Sequence, residues 1–390
     1  MGPGRYRTLL LSACIALACC RIGAAAEPEN DSGTPAGAGG RRLATSRTGI
    51  RGAAIYLVAP PPGDPDGMTF DTDAIVSIRC TWKFFISKHR YDIVVFHTLG
   101  DAALAKFKGD IDMTPALEKH LKFKKIEFNW PKGIDEDWLS QGRCLDPVDG
   151  TDQWKSNKSC GCTCPDPTVV NRVRRGGKRC WEINYLHMNR FFTYSIWEHL
   201  KDYDYYMRVD ADLFIQREIP DPFQEMHDKK TAFAIGYMEG ETQGCFEGQQ
   251  AAVKKFAQEV APGLGVKTYM DNMDNIQPYT CYWGGFHAGD VNFFRKREHM
   301  ELSKYISEQG GIYTQRWSDQ VHFPNALAIL HPEGAHGATS LMPFFKHECP
   351  GVNCDAANAE HVFIHEHSAP NYNAEVAGKC MLDKHDKHEL

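Results

Sequence analysis

The stretch YDYYMRVDADLFI, residues 203–215, decides how the rest of the chain is read. Its centre, YYMRV (Tyr205–Val209), is rich in aromatic and apolar residues and reads as a buried strand. Two carboxylates, Asp210 and Asp212, follow one residue apart before apolar residues resume at Leu213. Like charges at a buried strand end repel and lose hydration unless a cation neutralises them. In open α/β sheets, ligands bind beyond the carboxyl ends of the strands. A hard divalent ion prefers oxygen ligands, so Asp-x-Asp at a strand end suits magnesium or manganese held against a diphosphate. Arg208, beside the pair, adds positive charge for phosphate. A surface turn carrying two aspartates is the competing reading of a bare Asp-x-Asp. The strand context and the secretory signals bring the two readings level.

Outward from this stretch, strands and helices alternate. AAIYLVAP (53–60) and YDIVVFHT (91–98) are short apolar runs that read as strands. Between them, DTDAIVSIRCTWKFFISKH (71–89) has helical period, with Asp71 or Thr72 as N-cap. Strand, helix, strand is a βαβ unit, whose strands are parallel. AALAKFK (102–108) adds a helix and KKIEFNWP (124–131) a strand. EINYLHMNRFFTYSIWEHLKDY (182–203) reads as a helix that feeds directly into the opening stretch. TAFAIGYM (231–238) is a further strand and GQQAAVKKFAQEVA (248–261) a helix. CYWGGFHAGDVNFFR (281–295) reads as strand, turn and strand, and REHMELSKYISEQGG (297–311) as a helix ending at Gly310. HVFIHEH (361–367) reads as a strand with an incidental histidine face. The pattern gives an α/β fold with a mainly parallel central sheet flanked by helices.

The ends speak of compartment. Arg5 and Arg7, a short apolar run over residues 8–20 and GAAAE make residues 1–26 a signal peptide, cut after Ala26. The run falls short of the ~20 residues that span a bilayer, so a cleaved peptide is favoured over a signal anchor. Residues 27–52 are a Gly-, Ala-, Pro- and Ser-rich stem. The folded domain covers residues 53–350, interrupted by a cysteine-rich insertion near 141–180. An extension over 351–390 ends in Lys387-His388-Glu389-Leu390, one residue away from the Lys-Asp-Glu-Leu retrieval signal and so a candidate for a retrieval receptor. Two Asn-x-Ser sequons, at Asn30 and Asn157, fit a glycoprotein of the same lumen, endoplasmic reticulum or Golgi. Eleven of the 14 cysteines lie beyond the signal peptide, a number that implies disulfides and leaves an odd thiol. The C-x-C-x-C cluster Cys160, Cys162, Cys164 lacks zinc-site spacing and reads as a stapled loop. A net charge of −6 excludes nucleic acid as the main partner. The basic run RVRRGGKR (172–179) reads as a solvated loop.

Four segments together carry a resemblance: YLHMNRFF (185–192), YDYYMRVDADL (203–213), CYWGGFHAGDVNFFR (281–295) and GGIYTQRWSDQVH (310–322). In their order and spacing, with ECP (348–350) as a further element, the chain resembles glycosyltransferase family 15. These are the luminal α-1,2-mannosyltransferases of the glycolipid 2-alpha-mannosyltransferase group. The resemblance spans roughly residues 53–350. It implies a GT-A-like nucleotide-binding fold and transfer of mannose from GDP-mannose to N- or O-linked glycans. It further implies retention of the α configuration, with Mn2+ or another divalent cation as cofactor. Residue by residue, it implies that Tyr185, Arg190 and Arg208 lie near the GDP and that Asp210 and Asp212 form the metal motif. Trp317 and Asp319 fall near the donor–acceptor junction.

The chain departs from the family pattern in three places. Asp210-Ala211 stands where the family usually has Glu-Pro, and aspartate still binds metal. His287 stands where the family has a glutamate that is a candidate nucleophile, and a histidine cannot form the glycosyl ester a carboxylate would. Catalysis then runs by a front-face route without an enzyme nucleophile, or through another residue, or is lost. Pro343 stands where the family has a metal-binding histidine, and His347 is the candidate substitute. Two further expectations follow from these departures. One is a GT-A transferase that uses a different nucleotide sugar. The other is a catalytically impaired luminal glycan-binding protein.

Overall fold

In the computed structural model, the strand–helix alternation of the sequence becomes one mixed sheet covered on both faces. The described residues are 49–60, 73–132, 183–236, 238–241 and 246–334, with 173–174, 178–179, 338–340, 363–365 and 380. The signal peptide, most of the stem, most of the insertion near 141–180, both sequons, Pro343, His347 and the tail 387–390 lie outside them.

The strands are β1 (Gly52–Val58), β2 (Asp92–His97), β3 (Leu121–Lys125), β4 (Val173–Arg174), β5 (Lys178–Arg179), β6 (Tyr205–Val209) and β7 (Leu213–Ile215). They continue with β8 (Phe233–Ile235), β9 (Met238–Gly240), β10 (Thr280–Tyr282), β11 (Phe286–Asp290), β12 (Ala338–Ser340) and β13 (Phe363–His365). The main sheet has the order β12-β8-β11-β6-β1-β2-β3. All its pairings are parallel except the two made by β11, which runs against both β6 and β8. The mainly parallel sheet expected from the sequence is therefore present.

Strands buried on both faces should be apolar throughout, and β2 and β6 are buried at every position. Side chains alternate between faces. Ala54, Tyr56, Tyr205, Met207 and Val209 join one core cluster. Ala53, Ile55, Tyr206 and Phe233 join another, under the helical segment that runs from Ile183 to His199. Trp197 of that segment stacks on Phe294, with ring centroids 4.4 Å apart. Gly52 is required where the domain begins. A Cβ there would lie 2.2 Å from the Phe223 ring and 2.9 Å from Tyr91.

Two elements differ from the sequence reading. The strand expected over 124–131 is instead β3, earlier in the chain, with Leu121 opposite Ile93. The reason is a short helix, Pro115–His120, capped by Thr114, which delivers the chain to the sheet edge directly at Leu121. The expected strand–turn–strand over 281–295 is also altered. β10 pairs with β9, and β11 stops at Asp290. There the Asp290 carboxylate accepts N–H bonds from Asn292 and Phe293 and starts a helical turn.

The extension returns to the domain. β13 pairs antiparallel with β7. Cys380 forms a disulfide with Cys80 on the Asp73–Thr81 helix, closing a separation of 300 residues. A crosslink of this reach typically stabilises by about 2–4 kcal/mol. Cys80→Ser is expected to lower the unfolding free energy by that amount. In non-reducing denaturant titrations, the variant should unfold at lower denaturant than wild type, and in reductant the two midpoints should coincide.

Candidate active site at the end of β6

Strand parity assembles the centre. Tyr206 and Arg208 point to the same face of β6, the face covered by the helices that begin at Ile183 and Asp319. Asp210 continues the strand line just beyond β6. Its N–H is held by the Gly285 carbonyl at 2.9 Å. The turn after it closes with Leu213 N–H donating to the Asp210 carbonyl at 3.0 Å. Asp210 and Asp212 thus sit on a tight turn at the carboxyl end of β6, between it and β7.

Arg208 is 1% exposed. Its Nε donates to Asp210 Oδ1 at 2.8 Å, and its Nη1 donates to Asp319 Oδ2. The guanidinium also lies 3.8 Å from the Phe192 ring centroid. Burial opposes its charge, but Asp210 and Asp319 hold it charged and raise its pKa. Asp319 is also 1% exposed, in the first turn of the Asp319–Leu330 helix, whose N-cap is Ser318. A helix N-terminus favours an anion. Even so, burial pushes the Asp319 carboxyl up; Arg208 opposes this and Asp210 adds to it. Asp210 itself is one-third exposed. One arginine is thus shared by two aspartates, with Asp212 on the same turn.

A second ion pair adjoins the first. Arg316 donates to the Tyr185 hydroxyl at 2.7 Å and to Glu241 at 3.2 Å. Burial raises the Tyr185 pKa, while Arg316 pulls it down. Arg316 occupies the left-handed region at φ 57°, a conformation that a non-glycine residue holds only where its surroundings enforce it. Sequence reasoning missed Arg316 and Glu241. Their separation in the chain carries no local signal, and the only pointer is the arginine next to Trp317 in RWSDQ.

The remaining expected residues fall in three places. Tyr185 and Asp319 join the cluster. Arg190 does not: it lies five positions beyond Tyr185 on the same helical segment, about 140° around it. Its guanidinium bonds Ser307 at 2.8 Å and the Asn129 carbonyl at 2.6 Å, so it clamps neighbouring segments instead of facing Asp210. His287 is paired across the strands with Arg208. It is wholly buried among Tyr206, Phe233 and Phe323. Burial, assisted by Arg208, holds its pKa well below the ordinary value, so the ring is neutral. Trp317 is a core residue, with its indole N–H on the Glu247 carbonyl at 2.7 Å and its ring over Gly311, where a Cβ would meet it at 2.2 Å.

Among the described residues, no group of three or more His, Cys, Asp or Glu side chains is placed to hold a metal ion. Asp210 and Asp212 are hard oxygen donors at a half-buried strand end, which fits a divalent cation as part of a larger ligand set.

The model of the family described as "Glycolipid 2-alpha-mannosyltransferase" matches residues 175–362, the part of the chain that includes β6, β11 and the Asp319 helix. Over these residues the chain is similar to that family. It is 25% identical over 272 residues to Glycolipid 2-alpha-mannosyltransferase 2 of Candida albicans, covering 67% of this chain and 52% of that protein. To Mannosyltransferase KTR6 of Saccharomyces cerevisiae it is 28% identical over 151 residues, covering 37% and 34% of the two. The chain thus spans about half the length, or less, of these curated relatives. The fold is that of the mannosyltransferase Ktr4p from S. cerevisiae, solved in complex with GDP. The TM-score is 0.57 at 17% identity, with 88% of this chain and 86% of that one covered. Core-mannan synthase A from Aspergillus fumigatus, solved in an Mn/GDP form, aligns with a TM-score of 0.52 at 15% identity, over 80% and 79% of the two chains. The sheet flanked by helices is accordingly a GT-A-like fold.

Removing one partner of a buried ion pair strands the other, at a cost of about 3–5 kcal/mol. Asp319→Ala is expected to lose that much in urea denaturation. A loss below about 1 kcal/mol would mean that Asp319 is not what holds Arg208.

Proposed function

We propose that this protein is a retaining α-1,2-mannosyltransferase. In this reading it moves mannose from GDP-mannose to mannose-containing N- or O-linked glycans in the lumen of the secretory pathway. The observation that carries the proposal is the Asp210–Asp212 turn at the end of β6, with Arg208 fixed behind it by Asp319. Similarity to the family over residues 175–362 supports the donor class, and the relatives' GDP-bound forms agree with it.

In this reading Asp210 and Asp212 hold Mn2+, completed by diphosphate oxygens and by a further ligand such as His347. The ion supplies Lewis-acid charge to the leaving diphosphate. Arg208 fixes the Asp210 carboxylate, because its own position is set by Asp319 and Phe192. Tyr185 and Arg316 form a wall of the GDP site, with the Tyr185 hydroxyl oriented by the arginine that donates to it. His287 acts as a neutral support under Arg208; a protonated ring there would oppose the guanidinium. With no carboxylate at that position, retention follows the front-face route. The bond from C1 to the GDP oxygen breaks, and the acceptor oxygen bonds C1 on the same face. The acceptor proton passes to the departing diphosphate. In this reading the protein works in the secretory lumen, with Lys387–Leu390 as a candidate retrieval signal.

A donor screen on purified protein with and without Mn2+ tests the proposal. GDP-mannose is expected to be the donor used. Asp212→Asn is expected to lower turnover at least ~100-fold, the scale set by losing a charge-stabilising group, with an unchanged denaturation midpoint. Turnover of UDP-sugars alone would move the chain to another donor. Wild-type turnover in Asp212→Asn would remove the metal from the account.

A further inference from the structure

The turn that carries Asp210 and Asp212 is held differently on its two sides. Upstream, β6 lies inside the main sheet, flanked by β1 and β11. Downstream, β7 has three residues and lies outside that sheet, paired with β13 in a separate ladder. The two carboxylates repel each other, so a loose downstream arm would let Asp212 swing away from Asp210. The position of that arm is set by something other than the main sheet.

Leu213, the residue after Asp212, is bonded at both of its peptide groups. Its N–H donates to the Asp210 carbonyl at 3.0 Å and closes the turn. Its carbonyl accepts from the hydroxyl of Ser77, 136 residues away in the chain. Ser77 lies in the Asp73–Thr81 helix and is wholly buried. Serine inside a helix commonly bonds back to its own preceding turn, whereas this one gives its proton to another segment. At the other end of the turn, Asp210 is held by the Gly285 carbonyl and by Arg208.

The Ser77 hydroxyl is the last member of a buried chain. The hydroxyl of Tyr56, on β1, lies 3.1 Å from both Ser77 Oγ and the Ser77 carbonyl, and 2.6 Å from Thr81 Oγ1. Tyr56 and Thr81 are wholly buried too. Each hydroxyl carries one proton. With the Ser77 proton on Leu213, Tyr56 donates to Ser77 and Thr81 donates to Tyr56, so the chain runs toward the turn. Burial pushes the Tyr56 pKa up, and the phenol keeps its proton.

The surroundings of this chain are apolar: Ile75, Ile78, Leu213 and Phe214 belong to the same core cluster. Polar groups are costly there unless bonded, and apolar side chains alone would pack the helix on the sheet. What Ser77 adds is a directed bond to the backbone beside Asp212. Two like charges held in place during folding need no further ordering when a cation arrives, which favours binding.

We propose that Ser77 is a positioning residue for the metal site: through the Leu213 carbonyl it fixes the turn so that Asp210 and Asp212 converge on one divalent cation. The inference rests on the metal reading of that turn, and Ser77 acts on the ion only through the backbone. Titration of Mn2+ into the intact protein with excess GDP, followed by the electron paramagnetic resonance of free Mn2+, tests it. Ser77→Ala is compared with Thr81→Val, which removes a hydroxyl from the same buried chain and leaves the Ser77–Leu213 bond in place. Both variants are expected to stay folded and to unfold at lower denaturant than wild type. Only Ser77→Ala is expected to lose Mn2+ affinity, by at least ~tenfold, the scale for a residue that orients a metal ligand. Equal Mn2+ affinity in Ser77→Ala and wild type overturns the inference and leaves the metal reading standing. Equal losses in the two variants reduce Ser77 to a packing role and overturn it as well. A wild-type protein that takes up no Mn2+ removes the metal reading, and this inference with it.

Discussion

A guanidinium that is 1% exposed stays charged only if carboxylates come to it, and Arg208 obtains two. One is Asp210, its neighbour along the strand line. The other is Asp319, delivered by the helix that covers the same face. This three-membered bridge joins the sheet to its covering layer at the point where the β6 turn emerges. It also determines which side chains can surround it. His287, opposite Arg208, is neutral, and Phe192 presents its ring to the guanidinium. The cost of burying these charges is met by the mutual pairing of Arg208 with Asp210 and Asp319.

That arrangement explains how the chain tolerates its departures from the family pattern. Aspartate in place of the usual glutamate at 210 keeps a carboxylate close to its own backbone, within reach of Arg208 Nε. A glutamate at 287 would place a third carboxylate around Arg208, inside a box of Tyr206, Phe233 and Phe323. Histidine fills that box without charge. The substitution therefore keeps the electrostatics of the bridge balanced.

Much of the sheet was legible in the sequence because its central strands are buried on both faces and read as unbroken apolar runs. β2 and β6 fall within the segments where the pattern put strands, and β1 starts one residue before its segment. β3 was not, since its register is set by Thr114 and Pro115 capping a short helix, a tertiary docking that periodicity does not show. Side-chain placement was legible where it follows strand position, as for Asp210 at the end of β6. It was not where it follows from a helix face: Arg190 turns to Ser307 and the Asn129 carbonyl. Nor could Arg316 and Glu241 be found. Their pairing requires a left-handed backbone at Arg316 that no propensity would assign to arginine.

The central claim is that the β6 turn is a seat for a divalent cation that holds a nucleoside diphosphate against the chain. Calorimetric titration of GDP into the protein, with Mn2+ present and then removed by chelation, measures this directly. The account predicts saturable GDP binding that requires Mn2+ and disappears on chelation. GDP binding of equal affinity with and without the metal would contradict it.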